Sequence, residues 1–478
     1  MNFSINDKTV IISDFTKEQK IEILAYMTFT DDKLMFQKRR SWGKYNSNIN
    51  PNICMLKVIN HDNKEYLVGF AGLMKEIALF CKSKGYPMSF TDKRTHYPFQ
   101  ETPWTDEELR ELFDPNFKYV THQIDALKAM QKNNTGLIVA PTSAGKSYIM
   151  SAFMRKTNLR CLILNDRAVL ASQLADDFKE KGIDCGFVGD GKKDDDHYCV
   201  VATIQSVRKM SLTNFDCVIV DECHRSSSKT FQDFLAQVSF PYKYGFSASP
   251  SNGNKYDYAK IRQFLGSPIV RIEAETLIEN EVMAKPTICL VDNYCKNGGL
   301  DYASSYQDNI VHSDSRNKKI IDIANQYDEG VGIIVINIGH GEYLEKNISG
   351  SIFLSGRDSL EKRKAVIKAF NDGTEYEGKK VRVLIGSTIL TEGISIPNMK
   401  VLILGASQKA ITSTIQRIGR CLRITKEKKS ALFYDFVDIG DTFLYKHSKR
   451  RIAIYKKEGY SDFILMDENL KPKEENKK

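Results

Sequence analysis

Ten short apolar runs, separated by longer stretches with helical periodicity, constrain this chain more than any other feature. The first series is Gly136–Ala140 (GLIVA), Cys161–Asn165 (CLILN), Cys199–Thr203 (CVVAT), Cys217–Glu222 (CVIVDE) and Tyr244–Ser249 (YGFSAS). The second is Val331–Asn337 (VGIIVIN), Ser351–Ser355 (SIFLS), Val381–Ser387 (VRVLIGS), Val401–Gly405 (VLILG) and Ala431–Asp438 (ALFYDFVD). Runs of this kind are strands buried on both faces, and their alternation with helices builds a parallel sheet covered by helices. Each series predicts one doubly wound α/β domain, with the division near Met283–Pro286. Residues 1–113 do not follow the rhythm and read as a small α+β domain, with a helix predicted over Leu67–Gly85 that closes on Gly85. The expected division is 1–113, 114–284 and 285–478, the last carrying a basic helical tail. Thr91–Asp114, polar and proline-containing, reads as a linker, and Asn469–Lys478 as a frayed end.

A chain of 478 residues supports several cores. Its formal charge of +9 favours a polyanionic partner without naming one. The ten cysteines include no Cys-x-x-Cys pair and sit mostly in apolar runs, so they read as reduced core residues rather than zinc ligands. The N-terminus, MNFSINDKTVIISDF, is not a signal peptide, and no apolar run is long enough to span a bilayer. The expected site of action is the cytoplasm, a host's if the chain is phage-encoded, with no membrane partner.

GLIVA runs into Pro141-Thr142-Ser143-Ala144-Gly145-Lys146-Ser147 and then into the helical YIMSAFMRK. A strand, a tight loop and a Gly-Lys-Ser opening a helix form the phosphate cradle of P-loop nucleotidases, in which backbone N–H groups and the positive helix end hold the phosphates. Lys146 would neutralise the β- and γ-phosphates, and the Ser147 hydroxyl would bind a magnesium ion. Ala140 stands where such loops carry their first glycine. Downstream, CVIVDECH places Asp221 and Glu222 at the C-terminal edge of a buried strand, where open α/β sheets bind ligands. Asp221 would hold magnesium and Glu222 would orient or deprotonate the attacking water. In the second series, Gln416-Arg417-Ile418-Gly419-Arg420-Cys421-Leu422-Arg423 puts three arginines on one helix face. Arginines from a facing surface stabilise the charge that builds on a transferring γ-phosphate, which would make catalysis depend on closure of the two cores.

These motifs, in this order, resemble the DExH helicases of superfamily two over roughly residues 115–440. The resemblance implies two tandem RecA-like domains and the use of ATP with Mg2+. It implies that Gln123 reads adenine, that His224 and Gln416 join the catalytic set with Lys146, Asp221, Glu222, Arg420 and Arg423, and that Glu392 and Gly393 couple to ATP. It also implies that Asn165–Gln173, Thr203 and Gln205 grip a nucleic-acid strand, that Thr388 meets its phosphate backbone, and that Ser247-Ala248-Ser249 links hydrolysis to domain movement. His122 stands before Gln123 where an aromatic residue is usual, which loosens the adenine reading. Within the superfamily the chain is most similar to the UvsW-type phage branch-migration helicases, on PTSAGKS, DECH, Arg316-Asn317, QRIGRCLR and the N-terminal domain. That similarity implies a monomer acting on forks, displacement loops and four-way junctions, alongside recombination or single-strand-binding proteins.

Three further segments bear on nucleic acid. In Phe36–Tyr45 (FQKRRSWGKY), Lys38, Arg39, Arg40 and Lys44 surround Trp42 and Tyr45, combining phosphate neutralisation with a face for base stacking; a solvated basic hairpin has the same composition. The basic helix Tyr445–Lys457 could grip a duplex or pack on the second core. Cys295–Tyr306, with Gly298-Gly299, reads as a hairpin and a candidate strand-separating pin. A duplex translocase or annealing motor without net unwinding, an RNA helicase, and a nucleic-acid-binding scaffold with a dead ATPase site are the alternatives to a DNA helicase.

Overall fold

The computed structural model describes residues 1–40, 49–117, 119–141, 144–251, 254–296, 300–386, 396, 398–407, 430–457, 460 and 462–473. The chain forms two compact units: Met1–Ala140 with Gly145–Ile272, and Pro141–Ala144 with Glu273–Lys478. Among the described residues no helix is long and apolar enough to cross a membrane.

All ten predicted strands form. In the first unit, the sheet order is Lys192–Lys193, Cys185–Gly189, Cys199–Thr203, Cys161–Asn165, Cys217–Val220, Tyr242–Ser247, Thr135–Val139 and Pro268–Arg271. Every pairing is parallel except Cys185–Gly189 with Lys192–Lys193. The central strands are buried along their whole length, which is why they read as unbroken apolar runs. One face of this sheet packs Leu164, Val200, Val220, Phe231 and Phe264 into a core. The four aligned cysteines 161, 185, 199 and 217 are buried, and none of the nine described cysteines is in a disulfide.

The second unit holds an all-parallel sheet in the order Ser351–Leu354, Val383–Gly386, Val331–Ile334, Val401–Leu404, Ser430–Ile439, Lys285–Tyr294 and Phe463–Met466. Two buried arginines organise its interior. Arg316 ion-pairs with Asp438 and lies over Phe436 at 4.3 Å, while Arg451 binds Asp435 at 2.8 Å. The basic tail helix, Thr442–Lys457, therefore packs on this core through Arg451, Ile454 and Tyr455.

Several expectations are corrected. Leu67–Phe70 is not helical but ends the strand Lys64–Phe70; the helix proper is Met74–Ser83. Pairing with Thr9–Ser13 on one side and Lys57–His61 on the other gives Leu67–Phe70 its ladder, overriding an apolar pattern that also fits a helix. The segment after Leu300 is a helix, Tyr302–Tyr306, capped by Asp301, so no second hairpin strand forms there; Gly298 and Gly299 lie outside the described residues. Thr91–Asp114 is a packed strap rather than a loose linker, with Trp104, Leu109 and Phe113 buried. Nor is the C-terminal end free up to Lys473, whose ammonium meets Asp292 at 2.6 Å.

The N-terminal sheet, in the order Lys57–His61, Lys64–Phe70, Thr9–Ser13, Asn2–Ile5 and Ser89–Asp92, shares the first unit with the eight-stranded sheet. Arg262 on the core ion-pairs with Glu76 at 2.6 Å, both largely buried. Lys243 donates to the carbonyls of Asp7 and Phe240, and Tyr97 donates to Asp216. Gly72 is required where the two parts meet, because a Cβ there would lie 2.3 Å from the Arg262 carbonyl oxygen.

Candidate nucleotide site

The site sits at the C-terminal ends of the central strands of the first unit. Gly145 takes a left-handed conformation (φ 73°) and caps the helix Lys146–Thr157. A side chain there would be strained, and its Cβ would fall 2.5 Å from Gln123 Nε2. The glycine thus lets the Gln123 amide sit directly against the phosphate loop. Ala144 is buried, and its N–H donates to the Pro141 carbonyl at 3.1 Å. Ser147 lies in the first turn of the helix, partly exposed.

Lys146 Nζ lies 3.4 Å from Glu222 Oε1. Glu222 follows the end of the strand Cys217–Val220 and adopts φ 47°, ψ 48°, a conformation that costs of order 1–3 kcal/mol in a residue with a side chain. The turn aims its carboxylate between Lys146 and His224, whose Nδ1 is 3.3 Å from Glu222 Oε2. The same Nδ1 is 3.1 Å from Ser247 Oγ at the end of the next strand, and Ser247 Oγ accepts from the Ser249 N–H at 3.3 Å. A continuous polar chain therefore runs Lys146, Glu222, His224, Ser247, Ser249. Burial raises the Glu222 carboxyl, but Lys146 and His224 outweigh it and hold the group well below the usual range. Asp221 is pushed the other way, up to about 6, by burial and by the Glu222 charge. Asn165 Nδ2 donates to Asp221 Oδ2 at 3.3 Å.

A cavity of about 490 Å3 opens beside this chain, lined in part by Asp166, Gln205, His224 and Arg225. Thr203 is buried and its hydroxyl accepts from the Ser206 N–H at 3.3 Å, so it shapes the turn that leaves Gln205 exposed. Two features escape a reading of the sequence. Arg225 meets Asp166 at 2.8 Å, joining two loops that are far apart in the chain. Tyr119 stacks on His122, ring centroids 5.5 Å apart, an aromatic pair next to Gln123 in the chain that no motif announces.

The remaining predicted residues are not placed. Trp42, Thr142, Ser143, Thr388, Glu392, Gly393, Gln416, Arg420 and Arg423 lie outside the described residues, as do the side chains of Arg39 and Arg40, whose backbone ends the helix Asp32–Arg40.

Comparison with known proteins extends this geometry. Residues 116–252 match the family model of the type III restriction enzyme res subunit, and residues 305–425 match the helicase conserved C-terminal domain. The chain is 24% identical over 501 residues to the ATP-dependent DNA helicase uvsW of Enterobacteria phage T4, covering 94% of this chain and 95% of that one. It is 25% identical to the DNA 3'-5' translocase XPB2 of Sulfurisphaera tokodaii, over 69% of this chain and 83% of that one. In fold it is similar to S. cerevisiae Dbp5 bound to RNA and ADP BeF3, with a TM-score of 0.56 at 16% identity, covering 78% of this chain and 96% of that one. Two parallel-sheet units, Lys146 joined through Glu222 and His224 to Ser247, and the restriction-enzyme res and helicase C-terminal models matched on successive halves place the chain among the superfamily-two helicases, ATP-dependent enzymes that act on nucleic acid.

Proposed function

We propose that this protein is an ATP-dependent DNA helicase or translocase that unwinds or branch-migrates forked and junction DNA. The observation that carries the motor reading is the polar chain from Lys146 through Glu222 and His224 to Ser247. A change of charge on the γ-phosphate at Lys146 reaches the end of a neighbouring strand through three side chains. In this reading Lys146 and the loop Thr142–Ser147 hold the phosphates, and Glu222 orients or deprotonates the attacking water. Gln123, which follows the His122 ring stacked by Tyr119, receives the adenine. The donor set suits Mg2+, because the Ser147 hydroxyl and the Asp221 carboxylate are hard oxygens and magnesium takes one or two protein ligands while keeping several waters. The ion would neutralise phosphate charge. Arg420 and Arg423 would supply the transition-state cations from the second core.

The preference for branched DNA is supported by similarity to uvsW over 94% of this chain, which takes in most of the first hundred residues. Residues 1–113 would then direct the motor to its substrate, with 114–284 and 285–478 as the cores and with recombination or single-strand-binding proteins as partners. The test is an ATPase measurement over single-stranded, duplex, forked and four-way DNA, with a matched RNA panel. Lys146→Ala should abolish stimulated turnover, and wild-type turnover in that variant would sink the motor reading. Stimulation by RNA alone would replace DNA with RNA as substrate.

A further inference from the structure

The first unit carries a second cleft, at the opposite edge of the core sheet from the phosphate loop. Its rim includes Thr135, which opens the strand Thr135–Val139, and Ser267, which precedes Pro268–Arg271, whereas the phosphate loop follows the far end of Thr135–Val139. The cleft is about 390 Å3, walled by the helix Met74–Ser83 and the strand Ser89–Asp92 on one side and by Lys132–Thr135 on the other. Lys75, Leu79 and Lys82 share one face of that helix, at i, i+4 and i+7. Lys132 enters from the core and Arg94 from the strap, and no carboxylate is among the lining residues.

Two properties separate this cleft from an ordinary lysine-bearing surface. The first is unanswered charge. Arg94 is neutralised by Asp92, but the ammonium groups of Lys75, Lys82 and Lys132 have no hydrogen-bond or ion-pair partner among the described residues. Three like charges around one concavity repel one another and focus a positive potential that a polyanion relieves. The second is an exposed apolar floor. Leu79 and Phe90 are 58% and 53% exposed inside this charged ring. The Phe90 ring rests on the buried Phe3, with centroids 5.3 Å apart, so it is held in place as a platform. Phosphate-binding cations around a fixed aromatic face suit a chain that carries both phosphates and accessible base faces. A duplex covers those faces by stacking, so only an unpaired strand uses both halves of the cleft.

We propose that this cleft binds a segment of single-stranded DNA, with phosphates at Lys75, Lys82 and Lys132 and a base on Phe90. It would give the motor a second strand-holding point, fixed to the first unit and remote from the nucleotide. The proposal rests on the nucleic-acid motor reading above.

The test uses the full chain and a fluorescent oligothymidylate, read by anisotropy across a salt series without nucleotide. Each phosphate neutralised on a single strand contributes about 0.7 to the slope of log K against log salt. Lys75→Ala/Lys82→Ala/Lys132→Ala should therefore lower the slope by about 2, and weaken binding about a hundredfold at 0.1 M salt when that slope is taken from 1 M. Phe90→Ala should weaken binding about tenfold and abolish the preference for thymidylate over an abasic oligomer of equal length. DNA-free ATP hydrolysis should stay at the wild-type rate in both variants. An unchanged slope, an equal loss on duplex DNA, or a Phe90→Ala protein that still prefers thymidylate would overturn the proposal. If the wild type keeps DNA-stimulated hydrolysis while the slope is unmoved, the cleft fails and the motor stands. No stimulation in the wild type would instead remove the motor reading itself.

Discussion

Glu222 combines a left-handed backbone with a carboxylate shared by Lys146 and His224, and the surrounding contacts fix both. A strained residue held by two partners is a poor choice for stability and a good one for the proposed role of meeting water at one position. Glu222→Gln preserves shape and removes the basic charge. Its turnover should fall on the order of a hundredfold or more, as expected for loss of a general base, while a fluorescent ATP analogue binds with near wild-type affinity. Ser247 has a different part. It touches His224 but lies at the end of the neighbouring strand, so Ser247→Ala should leave most DNA-stimulated hydrolysis and lose strand displacement in a fork assay. Gly145→Val should lose nucleotide binding altogether, since both its φ and the Gln123 amide exclude a side chain.

At the scale of elements, two helices of the second unit are pinned by one histidine. His340, in Ile338–Asn347, has Nε2 2.7 Å from Asn317 Oδ1 in Asp314–Ala324, and it is almost fully buried. Burial, helped by Arg316 and His312, pushes its pKa down to about 4. The folded protein therefore keeps His340 neutral where the unfolded chain takes up a proton. Its contribution to stability is complete above about pH 6.5 and is lost as pH falls from there toward 4, by about 3 kcal/mol over the window. Urea unfolding across this range should show a steeper acid loss in the wild type than in His340→Gln. In the first unit, Arg262 and Glu76 join the core helix Lys255–Leu265 to the N-terminal helix Met74–Ser83. Arg262→Ala leaves a buried carboxylate alone and should cost about 3 kcal/mol in unfolding of that unit.

For the whole molecule, the proposed motor divides its labour between the two parallel-sheet units. The Gly145–Ser147 end of the loop and the acidic strand end belong to the first unit, and the arginines of Gln416–Arg423 belong to the second half of the chain. Arg420→Ala should reduce stimulated turnover on the order of a thousandfold while leaving DNA-free ATP binding intact, because an arginine supplied to the γ-phosphate acts on the transition state. The N-terminal sheet belongs to the same compact unit as the first core, so whatever DNA it holds is held relative to the nucleotide-binding sheet.

The amino-acid order alone specifies the ten core strands, the helix-opening Gly-Lys-Ser and the acidic strand end, because each depends on local pattern. Buried parallel strands must be apolar throughout, and a helix-opening Gly-Lys-Ser needs no distant partner to be recognised. It could not determine which apolar runs would gain a ladder partner. Leu67–Phe70 became a strand because Thr9–Ser13 and Lys57–His61 flank it, and Pro268–Arg271 and Phe463–Met466 became edge strands for the same non-local reason. Nor could it give the joining of His224 to Ser247, the stacking of Tyr119 on His122, or the convergence of Lys75, Lys82 and Lys132 on one cleft with Phe90. The Tyr119–His122 stack is set by how the chain enters the helix Thr121–Lys132, and the other contacts link residues by way of sheet register and the packing of one sheet against another. Register and packing follow from the whole set of pairings, which no local pattern encodes.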